Sequence, residues 1–310
     1  IQHAIWTTEF YGIDGWRVDT YKYCYEPFLN AMNTALEREF PTITVFGEMW
    51  SNSQLPSAYF SQNNINAPFK HNLQGVCDFP MTFAMLDAVN QPVGWTSGVS
   101  KVYMTLSEDM LYKDPKRNCL FLDNHDMDRV FSVVGEDLAK WKIAMGLLLT
   151  QRGIPQVYYG TEILMKNRKD PNDAMVRFDF PGGFPGDAVS KFNASGRTAQ
   201  ENEAFNYISA LALWRRNASP VHTGRTMQYI PQDGFYVYFR YDDKRTVMCV
   251  VNSADQERKP DLSHYSERLA GFSKGTNVTD GKAYLLDSSF TVPAKTMLIL
   301  DLRSDQHLPR

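Results

Sequence analysis

The 310-residue chain has no apolar run of the roughly 18 residues that a membrane-spanning helix needs. It has no block of like charge either. Lys and Arg total 32, Asp and Glu total 35, and the formal net charge is −3. Nucleic acid and anionic membrane are therefore not expected as main partners. Cysteine is scarce, and Cys24, Cys77, Cys119 and Cys249 show no CxxC pair and no zinc-ligand spacing. They read as small buried residues. There is no HExxH helix motif and no GxSxG elbow, which argues against a zinc hydrolase and a serine hydrolase. Internal repeats and low-complexity tracts are also absent. The chain starts Ile-Gln-His-Ala, with neither an initiator Met nor a signal peptide, and is expected to be a piece of something longer.

What is present is an alternation of strands and helices. Residues 2–11 read as the end of an amphipathic helix stopped by Gly12. Ile13–Asp19 follows as a buried strand. Residues 26–39 carry a helical stripe at Phe28, Met32 and Ala35/Leu36, with Pro27 near the start. Residues 42–48 are β-branched and aromatic and end in Glu48. Residues 51–73 are polar and read as a long loop of functional length. Further strands are expected at 74–79, 118–123 and 154–159. Helices are expected near 80–90, 97–112, 137–152 and 203–216, the last with a stripe at Phe205, Ile208, Leu211 and Ala212. Residues 161–200 form a second long loop. This pattern implies a parallel sheet with crossover helices over about 1–219. From about 220 to 310 it gives way to a small antiparallel β domain, with a hairpin at 235–252 and strands at 290–292 and 296–302.

Three strands of the first part deliver chemistry at their carboxyl ends, as a TIM barrel or an open α/β sheet does. Gly15-Trp16-Arg17-Val18-Asp19 places Arg17 and Asp19 on one face, because strand side chains alternate. A cation beside a carboxylate suits a nucleophile, although a structural ion pair at a strand end is an equal reading of this stretch alone. Glu48 lies among Phe46, Gly47, Met49 and Trp50, an apolar, aromatic setting that suits a general acid. Asp126 follows Asn124 and His125. Two carboxylates with divided roles are the equipment of glycoside hydrolysis.

At these residues the sequence resembles a known family. Gly15–Tyr23, Gly47-Glu48-Met49-Trp50 and Phe121–Asp126 are similar to the second, third and fourth signature regions of the α-amylase family. Gly153–Glu162 is similar to its last barrel strand, and Asp179–Gly183, after Arg177, to its neopullulanase and cyclomaltodextrinase branch. The resemblance implies strands four to eight of a (β/α)8 TIM barrel followed by a C-terminal β-sandwich. It lacks the first signature region. It implies a retaining α-glucan hydrolase acting on α-1,4, and in some members α-1,6, bonds of maltooligosaccharides, pullulan or cyclodextrins. Asp19 would be the nucleophile, Glu48 the general acid/base and Asp126 the third carboxylate. Arg17 would orient Asp19. His125, Asn124 and Arg177 would contact sugar, with Lys22 and Trp50 on the acceptor side. For Lys22 a solvated surface lysine, and for Trp50 core packing, are equal readings. The chemistry requires no cofactor, and structural calcium stays open. The partners implied are α-glucan oligosaccharide and, in this branch, a second copy as a homodimer. A periplasmic home fits the resemblance only. A sheet cut from a barrel would expose strand edges that invite self-association. A non-catalytic glycan-binding or accessory protein on the same scaffold is the competing expectation. His71 and Cys77 read as structural.

Overall fold

The computed structural model describes residues 1–302. They form two compact units, each built from several segments. One comprises Ile1–Phe83, Met104–Leu120 and Arg152–Gln156, and the other comprises Ala84–Tyr103, Phe121–Gln151 and the chain from Val157 onward.

The first unit is organised on five short parallel strands in chain order. They are β1 (Gly15–Val18), β2 (Thr44–Gly47), β3 (Gly75–Val76), β4 (Cys119–Leu120) and β5 (Ile154–Pro155). β1 pairs with β2 from Gly15↔Thr44 to Val18↔Gly47, and β2 pairs with β3 at Phe46↔Gly75 and Gly47↔Val76. A parallel bridge, Cys77↔Cys119, carries the pairing past β3, and β4 pairs with β5. The strands are shorter than the sequence suggests, and the runs that end in Asp19, Glu48 and Asp123 leave the ladder before that residue. Asp19 and Glu48 therefore stand one residue past their strands.

Helix α1 (Gln2–Tyr11) ends at Gly12, whose φ of 62° is the left-handed conformation that favours glycine at this position. Helix α2 (Glu26–Glu39) carries its proline in the first turn, where no hydrogen bond is lost. Its buried face is Leu29, Asn33 and Leu36, so of the expected stripe Leu36 is buried while Phe28 is exposed. Full burial of each leucine contributes about 1.5–3 kcal/mol. The loop expected at 51–73 contains helix α3 (Gln54–Tyr59). Pro56 obscured it in the sequence, but proline is tolerated in a first turn. Helices α4 (Phe79–Asn90) and α5 (Val99–Ser107) follow.

The second unit contains the one-turn α6 (Val130–Val133) and α7 (Leu138–Thr150), which Asp137 caps by accepting from the Ala139 and Lys140 amides. Helix α8 (Ala199–Arg215) starts earlier than expected, at a capping box made by Thr198 and Glu201. It buries Ala204, Ile208 and Leu211. After the short α9 (Ser219–His222) come the antiparallel strands β6 (Arg225–Gln228), β7 (Phe235–Tyr241) and β8 (Thr246–Asn252). The short α10 (Ser266–Leu269), then β9 (Lys274–Asn277), β10 (Ala283–Leu285) and β11 (Thr296–Leu302), complete the described chain.

These strands form one six-stranded sheet in the order β10-β9-β11-β8-β7-β6. That corrects the expected sandwich: among the described residues there is no second antiparallel sheet facing this one. Val237, Phe239, Val250, Leu298 and Leu300 pack on Tyr265, Leu269, Phe290 and Val292, so an irregular segment with α10 covers that face. On the opposite face, the Tyr238 hydroxyl meets Thr150 Oγ1 of α7, and Trp214 Nε1 of α8 donates to Asp301 at 3.4 Å. Phe290–Val292 is no ladder strand; it contributes a single bridge, Arg258↔Val292.

Candidate active site

In the first unit, Arg17 Nη1 donates to Asp19 Oδ1 at 2.7 Å, and its Nη2 lies 3.5 Å from Glu48 Oε2. One guanidinium therefore serves both carboxylates, as the shared strand face predicted for Asp19. The ladder explains how Glu48 joins them. Val18 is opposite Gly47, so the residues that follow each strand emerge side by side. The Glu48 amide donates to the Val18 carbonyl at 2.8 Å, and the Tyr21 amide donates to the Glu48 carbonyl at 3.2 Å. Burial opposes the charge on Arg17, but the hydrogen bond to Asp19 and the nearby Glu48 more than offset it, and its pKa ends raised. The Asp19 side chain is 69% exposed and that of Glu48 only 11%.

Glu48 has polar partners that its aromatic sequence neighbours did not announce. Its Oε2 accepts the Thr20 amide at 2.9 Å. Thr20 adopts φ 45° and ψ 36°, a left-handed conformation that costs a β-branched residue on the order of 1–3 kcal/mol. Sequence reasoning missed Thr20, because a lone Thr after a strand carries no signal for that backbone. Tyr21 is fully buried, its hydroxyl accepts from Asn33 at 3.0 Å, and burial pushes it up to about 12. Cys77, also beside Arg17, is pushed up to about 12 by burial and is no thiolate at neutral pH. Lys22 Nζ donates to the Trp50 carbonyl at 2.7 Å, so the two acceptor-side candidates are joined. The Trp50 ring stacks on Phe79 at 4.4 Å yet remains 37% exposed. Its inner face is packed while its outer face is open.

In the second unit, the segment after β4 forms a separate cluster. Asn124 Oδ1 accepts the Asp126 amide at 2.8 Å, which turns the chain, and Asn124 itself is buried. The Asp126 carboxylate lies 3.1 Å from His125 Nε2 and accepts Arg177 Nη2 at 2.9 Å. Arg177 Nε also donates to the His125 carbonyl at 2.8 Å. Arg177 thus reaches back some fifty residues to brace both members of the pair. Asp173, which Lys169 holds below the usual carboxylate range, lies 3.4 Å from the same Arg177 nitrogen. Two residues beneath this cluster escaped the sequence reading. Asp123 is fully buried, accepts the Val130 amide at 2.9 Å and the Thr161 hydroxyl, and is pushed up to about 6 by burial. Arg129, equally buried, donates to the Val176 carbonyl at 3.0 Å and lies 4.0 Å from the centre of the Tyr158 ring. Tyr158 thus lies against a buried cation.

The expected catalytic and binding residues therefore fall into two local clusters. One holds Arg17, Asp19 and Glu48 with Lys22 and Trp50; the other holds Asn124, His125, Asp126 and Arg177. Among the described residues, no group of three or more His, Cys, Asp or Glu side chains is arranged to hold a metal ion. No helix among them is long and apolar enough to cross a membrane.

Residues 226–301 match the cyclo-malto-dextrinase C-terminal domain. The chain is 28% identical over 283 residues to a cyclomaltodextrin glucanotransferase of Geobacillus stearothermophilus, covering 87% of this chain and 35% of that protein. It is 26% identical over 293 residues to an α-amylase of Niallia circulans, covering 91% and 50% respectively. Over most of its length the chain is thus similar to cyclomaltodextrin glucanotransferases and α-amylases. The α-amylase of Geobacillus thermoleovorans, solved with acarbose, superposes with a TM-score of 0.79 at 20% identity, over 98% of this chain and 63% of that one. That likeness extends the α-amylase fold to nearly the whole chain. The chain spans about a third to a half of the length of these two curated relatives.

Proposed function

We propose that this α-amylase-family chain carries the catalytic residues of a retaining α-glucan hydrolase of the neopullulanase and cyclomaltodextrinase branch. Its five parallel strands are then strands four to eight of a (β/α)8 barrel. The observation that carries the reading is Arg17, which holds Asp19 at 2.7 Å and approaches Glu48 at 3.5 Å just past two neighbouring parallel strands. Asp19, exposed and hydrogen-bonded to the guanidinium, attacks the anomeric carbon. Glu48, mostly shielded from water, gives a proton to the leaving glycosidic oxygen. The covalent glycosyl ester on Asp19 is then hydrolysed by water, with Glu48 taking the proton back. Asp126, braced by His125 and Arg177, serves as the third carboxylate and holds sugar hydroxyls. Lys22 and the open face of Trp50 serve the acceptor side. The substrates are maltooligosaccharides, pullulan or cyclodextrins, cleaved at α-1,4 and, where the site admits them, α-1,6 bonds.

The test is Asp19→Asn in the intact protein, assayed on pullulan, maltodextrin and β-cyclodextrin. Turnover is expected to fall by about three to four powers of ten, as removal of a nucleophile does. An undiminished rate would sink the reading. Maltooligosaccharide binding by the unaltered protein, with no product over a day, would favour a glycan-binding accessory role instead.

A further inference from the structure

We propose that Thr20 is a positioning residue for Glu48, and that its backbone amide determines which oxygen of Glu48 carries the catalytic proton. The proposal rests on the hydrolase reading above and goes to a residue and an atom that the reading does not name. Oε2 of Glu48 accepts the Thr20 N–H at 2.9 Å and faces Arg17 Nη2 at 3.5 Å. No described residue donates a hydrogen bond to Oε1. An amide N–H and a guanidinium can only donate. A proton on Oε2 would point a third hydrogen at two donors, so the proton rides on Oε1.

The chemistry follows with atoms and charges in balance. Oε1–H gives its proton to the glycosidic oxygen as the bond from the anomeric carbon to that oxygen breaks and the bond to the Asp19 carboxylate forms. Glu48 is left as a carboxylate whose charge on Oε2 is met by the Thr20 amide and Arg17. In the second step, water gives a proton to Oε1 as its oxygen bonds the anomeric carbon, and Asp19 departs as a carboxylate.

The backbone supports this role. Thr20 holds a left-handed conformation that a β-branched residue rarely adopts. Its exposed side chain makes no hydrogen bond among the described residues, so the conformation serves the main chain. The turn is clamped on both sides. The Glu48 amide bonds to the Val18 carbonyl at 2.8 Å, the Tyr21 amide to the Glu48 carbonyl at 3.2 Å, and the Tyr21 ring is fully buried. Such over-determination is what holds a strained residue in place.

The first experiment replaces Thr20 by its α-hydroxy acid in the intact protein, which puts an ester oxygen in place of the N–H and keeps the side chain. Turnover of maltotriose, whose leaving group needs the proton, is expected to fall about ten- to hundredfold. Turnover of α-glucosyl fluoride, whose leaving group needs little protonation, is expected to fall less than about twofold. Equal losses on both substrates, or no loss on either, overturn the proposal. The second measurement needs no altered residue 20. In protein labelled with 15N-threonine, the Thr20 amide resonance is expected to follow the titration of Glu48 and to lose that dependence in Glu48→Gln. A Thr20 amide indifferent to Glu48 overturns the proposal even in an active enzyme. If the unaltered protein cleaves neither substrate, the hydrolase reading fails and takes the proton assignment with it, while the resonance still decides the hydrogen bond.

Discussion

Two arginines of the first unit each lie between two carboxylates, and they are put to different uses. Arg17 stands between Asp19 and Glu48, with side-chain exposures of 31%, 69% and 11%. Arg152 stands between Asp78 and Asp109, with exposures of 3%, 0% and 20%. Around Arg152 the lone pairs are filled by protein. Asp78 accepts Arg152 at 2.7 Å and also the Met81 amide, Gln54 and Asn118, while Asp109 takes Arg152 Nε through both oxygens at 2.9 Å. Burial opposes the charge on Arg152, and Asp109 and Asp78 override it, so its pKa ends raised. Around Arg17, Glu48 keeps one oxygen that accepts no hydrogen bond from a described residue, and the Asp19 side chain is 69% exposed. The same three charges make a structural clamp when sealed, and a candidate reaction centre when open.

The comparison can be broken from either side. The largest expected effect belongs to the sealed clamp. Arg152→Met leaves two buried carboxylates without their cation and should cost about 3–5 kcal/mol of stability in urea denaturation. A cost under about 1 kcal/mol would show that the clamp is dispensable. Arg17→Met should do the reverse. On the hydrolase reading, turnover of maltodextrin should fall about a hundredfold, because Asp19 and Glu48 lose their common anchor, while stability should change by less than about 1 kcal/mol. A large stability loss with turnover intact would make Arg17 a second clamp.

The smallest effect concerns Asp123 in the second unit. Its folded carboxyl holds its proton up to about pH 6, against an ordinary value of 3.8. Between about pH 4 and pH 6 the folded state therefore binds more protons than the unfolded state. Its contribution to stability is present at the acid end and is lost as the pH rises through that window. Asp123→Asn should flatten this part of the pH–stability curve, measured by thermal denaturation at pH 4, 5, 6 and 7. An unchanged slope would remove Asp123 as its source.

Much of the first cluster was legible in the sequence because its signals are local. Arg17 and Asp19 are two residues apart on a strand, and Glu48 ends the next β-branched run. Arg152 was not legible: its partners lie 43 and 74 residues away, and no short motif joins them. Thr20 escaped because backbone conformation at a threonine leaves no compositional trace. In the second unit, β7, β8 and β11 announce themselves by apolar side chains, whereas β9 does not. Its burial alternates with period two, but its inward residues are Gly275 and Asn277, so the apolar signal is missing although the geometry is present. Asn277 accepts the Ile299 amide in place of an apolar contact. The expected sandwich failed for a related reason: sequence patterning shows that a strand face is buried, but not whether a sheet, a helix or an irregular segment covers it.

Gly47 closes β2 immediately before Glu48, and a methyl group there would fall 2.6 Å from Cγ of the Tyr21 ring. Tyr21 follows Thr20 in the chain, so whatever displaces that ring also pulls on the amide that meets Glu48. A protein engineer altering this cluster would mutate its polar residues and pass over a residue with no functional group. Yet the tolerance of the cluster to change is set there: position 47 accepts only the absence of a side chain, and libraries that randomise it should return glycine.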